Sequence, residues 1–348
     1  MKLAPVARAL DARRGVEHVV VHTGQHYDAV MSGSFFDDLG LAAPPYNLEV
    51  GSGTHAQQTA AVLERFEPLC QRLEPDWVLV YGDVNSTVAA TLAAVKLRVR
   101  VAHVEAGLRS RDRTMPEEHN RLATDHLADL LLAPSRDAVA NLVQEGLAPE
   151  RIAFVGNVMI DSLVRLLPRA RALGQPARLG LSPGVFALVT LHRASNVDDR
   201  HVFGELCDAL ADISRNRPVV FPIHPRSRER LDSWGLADRL GDVRLMEPLP
   251  YLAMLGLAEA AGVVITDSGG VQEETTFLGV PCLTVRPNTE RPITVSEGTN
   301  RLVAPTREAL AVALADGMPR RGACAIERWD GRAAERIVAV VCDGRRYE

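Results

Sequence analysis

Acidic and imidazole side chains recur in this sequence directly after short apolar runs. Asp83 follows Trp77 to Gly82, Glu105 follows Val99 to Val104, His192-Arg193 follows Phe186 to Leu191, and His224-Pro225-Arg226 follows Pro218 to Ile223. Apolar runs of this length read as buried strands, so these polar residues fall at strand ends, where open α/β sheets bind ligands. Carboxylates and imidazoles in such places suit proton transfer. Any one of them is also satisfied as an ordinary strand-end residue; several, on both sides of one expected cleft, favour chemistry. Glu117-Glu118 is different, because Pro116 at a first helical turn followed by acidic residues is good capping chemistry. For Glu118 that structural reading competes directly.

A second kind of chemistry belongs to Val263-Val264-Ile265-Thr266-Asp267-Ser268-Gly269-Gly270-Val271-Gln272-Glu273-Glu274. The apolar run predicts a strand, Thr-Asp-Ser-Gly-Gly a tight turn, and Val271 to Leu278 a helix. Adjacent Gly269 and Gly270 let the backbone approach a ligand closely, and free amides at a helix N-terminus attract an anion such as phosphate. Ser268 adds a hydroxyl. Glu274, one turn further in, suits ribose hydroxyls. An ordinary capped strand-to-helix turn would share the pattern. Arg291, in Asn288-Thr289-Glu290-Arg291-Pro292 after a further strand, could make charge-assisted bonds to phosphate.

These residues need elements to hold them, and 348 residues with 47% hydrophobic content suffice for two domains. Helix-like Met1 to Leu10 leads to a strand over 18–22 and helices over 27–39 and 55–72. Strands over 77–81, 99–104, 129–133 and 152–155 alternate with helices. A connecting helix ends near Leu173, and Gly174 to Gly184 has the Gly and Pro content of a linker. Further strands are predicted over 186–191, 218–223, 243–246, 263–266 and 281–285, with a last amphipathic helix over 331–341. Alternation of this kind predicts an α/β fold of two doubly wound, Rossmann-like domains facing a cleft. No apolar strand precedes the first helix, so the first central strand is expected to be missing from the first sheet.

A net charge of −5 gives no basic footprint for nucleic acid. No apolar run approaches the ~20 residues that span a bilayer, and no signal peptide is visible, so a cytoplasmic protein is expected. Five scattered cysteines, Cys70, Cys207, Cys282, Cys324 and Cys342, argue against disulfides or zinc.

His103-Val104-Glu105-Ala106-Gly107-Leu108-Arg109, Pro116-Glu117-Glu118-His119-Asn120-Arg121, Leu191-His192-Arg193, Thr266 to Glu274 and Thr289-Glu290-Arg291-Pro292 occur in the order seen in non-hydrolysing UDP-N-acetylglucosamine 2-epimerases. The chain resembles that family from Lys2 to the final helix. The resemblance implies a GT-B-like fold, with domains over 1–163 and 164–330 and a helix over about 331–348 returning to the first. It implies interconversion of UDP-GlcNAc and UDP-ManNAc by elimination of UDP to 2-acetamidoglucal and re-addition, with no metal or redox cofactor. Asp83, Glu105 and Glu117 match the family's catalytic carboxylates, and His192 its histidine near phosphates and sugar. Ser268, Gly269 and Gly270 match the phosphate cradle, Glu274 the ribose contact, Arg291 a phosphate-side arginine and Lys2 a lysine of the nucleotide site. Arg193 and His224 join the UDP-binding set, and Met254 stands on the uracil side, where some relatives carry an aromatic ring. A homodimer is implied, with a UDP-sugar as substrate and a role in cell-surface polysaccharide precursors. A hydrolysing 2-epimerase, a GT-B glycosyltransferase and an inactive sugar-nucleotide binder are the alternatives. A diacetamido uronic acid substrate would share these motifs.

Two departures from the family carry expectations. The opening strand ending in Gly-Thr-Arg-Pro-Glu is absent, which predicts a perturbed first domain or poor activity. Gln25-His26-Tyr27-Asp28 replaces a Gln-x-x-Gln pattern and Gln57 a supporting arginine, which predicts weak or absent activation by substrate.

Overall fold

The computed structural model describes residues 1–24, 39–317, 322 and 324–344. The helix expected over 27–39 lies outside them but for its last residue, as does the Gln25 to Asp28 pattern. The chain divides into two units, Met1–Ser162 with Glu327–Glu348, and Leu163–Ile326. The division falls in the second turn of helix Val158–Leu173.

In the first unit, β3 (Trp77–Tyr81), β4 (Arg100–Val104), β5 (Leu130–Ala133) and β6 (Ile152–Phe154) form a four-stranded parallel sheet in that order. Both faces are covered, which is why Leu130-Leu131-Leu132-Ala133 is continuously apolar rather than alternating. On one face Val104, Leu132 and Val155 pack with Val6 and Leu10 of helix Leu3–Asp11 and with Ile337 and Val338 of helix Ala333–Asp343. On the other, Val80, Val101 and Leu131 pack with Ala94, Ala138 and Leu142.

A separate pair, β1 (Val21–His22) and β2 (Tyr46–Asn47), runs parallel. The strand expected over 18–22 is thus two residues long, and β2, equally short, shows no period by which sequence could reveal it. Both sheets line a cavity of about 870 Å³, with Leu3, Ala7, Phe66 and Val341 also on its wall. Helix His55–Leu73 starts with a capping box in which the Gln57 amide donates to Thr54 Oγ1 and Thr54 donates to Gln57 Oε1. The Gln57 side chain is therefore engaged in closing a helix end.

The second unit has one parallel sheet of β7 (Ala187–Thr190), β8 (Val219–Pro222), β9 (Arg244–Met246), β10 (Val263–Thr266), β11 (Cys282–Val285) and β12 (Asn300–Val303). The spatial order is β12-β11-β10-β7-β8-β9. Numbered within the unit this is 3-2-1-4-5-6 read from the β9 edge, the doubly wound order, with its switch point between β7 and β10. Phe203, Leu206, Leu210 and Phe221 are fully buried on one face, and Phe186, Leu188 and Leu257 on the other. Gly174 to Gly184, expected as a linker, instead carries the short helix Gln175–Arg178 and buries Leu181 with Leu257 and Val264. Two leucines in a Gly-rich stretch anchor it. β12 and helix Arg307–Ala315 are additional elements that the sequence reading did not assign.

Candidate functional site

Tyr81 and Val104 are partners across β3 and β4, so Gly82-Asp83 and Glu105 leave the sheet side by side. Gly82 has φ +66°, and a Cβ there would lie 2.8 Å from Lys2 Nζ and 3.3 Å from Glu105 Oε2. The positive φ favours glycine here, and Lys2 and Glu105 meet over this turn in an ion pair. Glu105 itself sits at φ +77°. A left-handed non-glycine residue costs of order 1–3 kcal/mol, and such strain clusters at functional sites. Its amide donates to the Leu132 carbonyl at 3.1 Å, which helps hold it there.

Helix Pro116–Leu127 closes the group. Asn120 Nδ2 donates to the Asp83 carbonyl at 2.9 Å, and Arg121 donates to Asp83 Oδ2 from Nε at 3.0 Å and from Nη2 at 2.7 Å. Arg121 Nη1 also reaches Glu118 Oε2 at 2.6 Å. Glu118 is buried and accepts from the Ser110 and Arg111 amides at 2.9 and 2.8 Å and from Ser110 Oγ at 3.0 Å. Burial alone would raise its pKa; these donors and Arg121 outweigh burial and hold it below the usual carboxylate range. Glu118 thus pins the preceding loop, while Glu117, its neighbour, stays half-exposed.

Under this cluster lies a buried network that sequence reasoning missed. The His103 ring bridges Asp125 Oδ1 (2.6 Å from Nδ1) and the Gly82 carbonyl (2.8 Å from Nε2). Asp125 also takes the Gly107 amide at 3.1 Å and Arg109 at 2.7 Å, and Arg109 forks onto Glu145 at 2.8 and 2.7 Å. The signal was a histidine inside the otherwise apolar Val101 to Val104 strand.

In the second unit, Thr190 and Thr266 are partners, so Leu191-His192-Arg193 and Asp267-Ser268-Gly269-Gly270 emerge together at the switch point. Helix Gly269–Leu278 begins there and ends at Gly279, φ +69°. A Cβ on Gly269 would lie 2.5 Å from Arg291 Nη1 and 2.8 Å from Glu290 Oε1. The bare glycine therefore admits Arg291 to the helix N-terminus, where Arg291 Nε is 2.8 Å from Glu273 Oε1. Glu290 pairs with Arg291 and, at 2.8 Å, with Arg286; Arg193 is 3.9 Å away. Burial would raise the Glu290 pKa, and the Arg291 and Arg286 guanidiniums reverse this and hold it well below the usual range.

Glu274, one turn into the helix, accepts from the Tyr251 hydroxyl at 2.8 Å. Burial, with Glu273 nearby, pushes its carboxyl up to about 7 despite that bond. Met254, on helix Tyr251–Ala260 with Tyr251, is half-buried against the Leu257 and Val264 cluster. His224 caps helix Pro225–Ser233 by accepting the Arg226 amide on Nδ1 at 3.2 Å. Its ring centroid is 5.6 Å from that of His192, and burial, then His192 and Arg226, lower its pKa.

The structure thus gathers Lys2, Asp83 and Glu105 with the helix that bears Glu117. Separately it gathers His192, Arg193 and His224, and Ser268 to Gly270 with Arg291, while Glu274 and Met254 lie along the adjoining helices. Asp267, which binds His192, was passed over in sequence as a turn residue. Among the described residues, no group of three or more His, Cys, Asp or Glu side chains could hold a metal ion, and no helix is long and apolar enough to cross a membrane.

The family model described as UDP-N-acetylglucosamine 2-epimerase matches residues 8–342. The UDP-N-acetylglucosamine 2-epimerase of Methanocaldococcus jannaschii is 40% identical over 354 aligned residues, covering 99% of this chain and 96% of its own. The UDP-2,3-diacetamido-2,3-dideoxy-D-glucuronate 2-epimerase of Pseudomonas aeruginosa is 43% identical over 316 residues, 89% of this chain and 86% of its own. The crystal structure of the M. jannaschii enzyme in complex with UDP-GlcNAc and UDP matches with a TM-score of 0.90 and 40% identity, over 99% of this chain and 96% of that one.

Proposed function

Because the chain belongs to the UDP-N-acetylglucosamine 2-epimerase family, we propose that it is a non-hydrolysing epimerase interconverting UDP-GlcNAc and UDP-ManNAc. The observation that carries this reading is the division of labour between strand ends. Carboxylates with a lysine stand at those of one unit, and a helix N-terminus with arginine and histidine stands at the switch point of the other. The reaction requires both. A base removes the C2 proton, the C–H pair forms the C1–C2 double bond of 2-acetamidoglucal, and the C1–O pair leaves with UDP. UDP then re-adds at C1 while C2 receives a proton on its opposite face.

Asp83, Glu105 and Glu117 supply the acid and base groups, with Lys2 fixing Glu105 and Arg121 fixing Asp83. The Ser268 hydroxyl and the amides of Gly269 and Gly270, with Arg291, Arg193, His192 and His224, stabilise the departing diphosphate, while the Ser268 amide is spent on Thr266 Oγ1 at 3.0 Å. Glu274 accepts from ribose hydroxyls, and Met254 packs on the base. On this reading the enzyme acts as a cytoplasmic homodimer supplying precursors of cell-surface polysaccharide.

Incubation with UDP-GlcNAc alone in D₂O tests the proposal. UDP-ManNAc carrying deuterium at C2, identified by mass and NMR, is expected. Free ManNAc with UDP would instead mark a hydrolysing enzyme, dependence on an acceptor a glycosyltransferase, and UDP binding without turnover an inactive binder. Glu117→Gln is expected to lower kcat at least ~10²-fold while calorimetric UDP affinity stays unchanged; undiminished turnover would remove Glu117 from the mechanism. A second reading has specific support, since the P. aeruginosa relative is named for a diacetamido glucuronate. A kcat/KM on that UDP-sugar more than tenfold above that on UDP-GlcNAc would move the substrate assignment.

A further inference from the structure

Asp267 is fully buried, and its carboxylate is surrounded by donors. Its Oδ2 accepts from the His192 amide at 3.0 Å, the Arg193 amide at 2.9 Å and Asn196 Nδ2 at 3.1 Å, and its Oδ1 lies 2.9 Å from His192 Nδ1. Asn196 is itself fixed, donating also to the Val285 carbonyl at 2.9 Å. The arrangement follows from strand order. β7 and β10 are neighbours only because the sheet reverses at the switch point, and Thr190 and Thr266, in register, join hydroxyls at 2.6 Å, one residue before Asp267 and two before His192. Asp267 thus has no rotamer freedom to spare.

His192 Nδ1 approaches a carboxylate oxygen to 2.9 Å, and because a carboxylate only accepts, this approach favours a proton on Nδ1. Burial would raise the Asp267 pKa, and His192 with the two backbone amides overrides this and keeps it ionised. The opposite nitrogen, Nε2, belongs to a side chain that is 41% exposed. We propose that Asp267 is a positioning residue that locks His192 in the Nδ1–H tautomer and aims Nε2 at the reacting sugar diphosphate. Without this lock the ring could turn over and offer a donor or an acceptor at random. With it, the neutral ring presents an acceptor, and the protonated ring a donor, in one fixed direction. The inference rests on the epimerase reading for what Nε2 meets, though not for the tautomer.

Two measurements test it. In wild-type protein labelled with ¹⁵N-histidine, the neutral His192 ring is expected to show a protonated Nδ1 and an unprotonated Nε2; the reverse pattern overturns the proposal without reference to any substrate. In UDP-GlcNAc kinetics, Asp267→Asn is expected to lower kcat about 10²-fold, with KM within about threefold because the backbone cradle is spared. Added to His192→Ala, the same change should cost nothing further, since its effect runs through that ring. Losses that multiply across the double variant would show Asp267 to be merely structural. Wild-type protein with no turnover on UDP-GlcNAc would sink the functional reading and leave the tautomer measurement to decide this one.

Discussion

β10 lies between β7 and β11, and all four of its residues are buried. β3, in the other unit, pairs only with β4 among the described residues, and of its five residues only Val80 is buried. The two runs, Val-Val-Ile-Thr and Trp-Val-Leu-Val-Tyr, are comparably apolar. Neighbours rather than composition decide how much of that surface leaves water: β3 and β1 both face the 870 Å³ cavity, whereas the second sheet runs unbroken through six strands. The cluster at the end of β3 is correspondingly tied by charge. His103, Asp125, Arg109 and Glu145 form a continuous chain of hydrogen bonds and ion pairs under Gly82, while the second site adds its own ion pairs, Glu273, Arg291, Glu290 and Arg286, to fully packed strands.

Side-chain truncation should expose this difference most strongly. Phe221→Ala, in the fully packed second core, is expected to cost about 3–5 kcal/mol of that unit's stability. Leu79→Ala, on the wall of an existing cavity, should cost about 2 kcal/mol or less, because it forfeits transfer energy without opening a new void. Chemical denaturation of both variants checks it, and equal losses would show the cavity wall to be as well packed as the core.

Next comes a pH effect confined to the first unit. Asp161 accepts from the Ala333 and Ala334 amides at 3.1 and 2.7 Å, yet burial prevails and pushes its pKa up to about 6. A raised folded-state pKa means stability that is fully present below the ordinary aspartate value and lost as pH rises through about 6. The shift corresponds to at most about 3 kcal/mol between acidic and neutral pH. Asp161→Asn should flatten that slope in denaturation curves at pH 4.5 and 7.5; an unchanged slope would place the titrating group elsewhere.

The smallest expected effect belongs to the second unit and reads out in binding. With its carboxyl near 7, Glu274 in the proposed role of ribose acceptor would be fully ionised only above that pH. UDP affinity is therefore expected to weaken by up to about tenfold per pH unit below 7, and Glu274→Gln should remove that dependence. Calorimetric titrations of UDP at pH 8 and 6 suffice, and pH-independent binding to the wild type would separate Glu274 from the ribose.

Much of this was legible in the sequence. Apolar runs ending in Asp83, Glu105, His192 and Thr266 marked strands and strand ends, because burial on both faces of a parallel sheet demands continuous hydrophobicity and the chain turns polar on leaving it. The paired glycines were read as a place where a ligand comes close to the backbone; the group the structure brings close to Gly269 is the Arg291 side chain. Gly174 to Gly184 misled, since Gly and Pro content reports turns and is silent on where Leu181 buries. Between Glu117 and Glu118, adjacent and chemically alike, residue type and spacing offered little choice, and it was the resemblance that pointed to Glu117.

What the sequence determined by itself was the alternation of elements and the residue types at their ends, since both follow from local periodicity and backbone chemistry. What only tertiary structure decided was partnership. Asp267 reaches His192 across 75 positions, His103 reaches Asp125 across 22, and Arg121 reaches Asp83 across 38. Each of these bonds depends on which strands and helices become neighbours, and strand order is set by the packing of whole layers, a property no short stretch of chain contains.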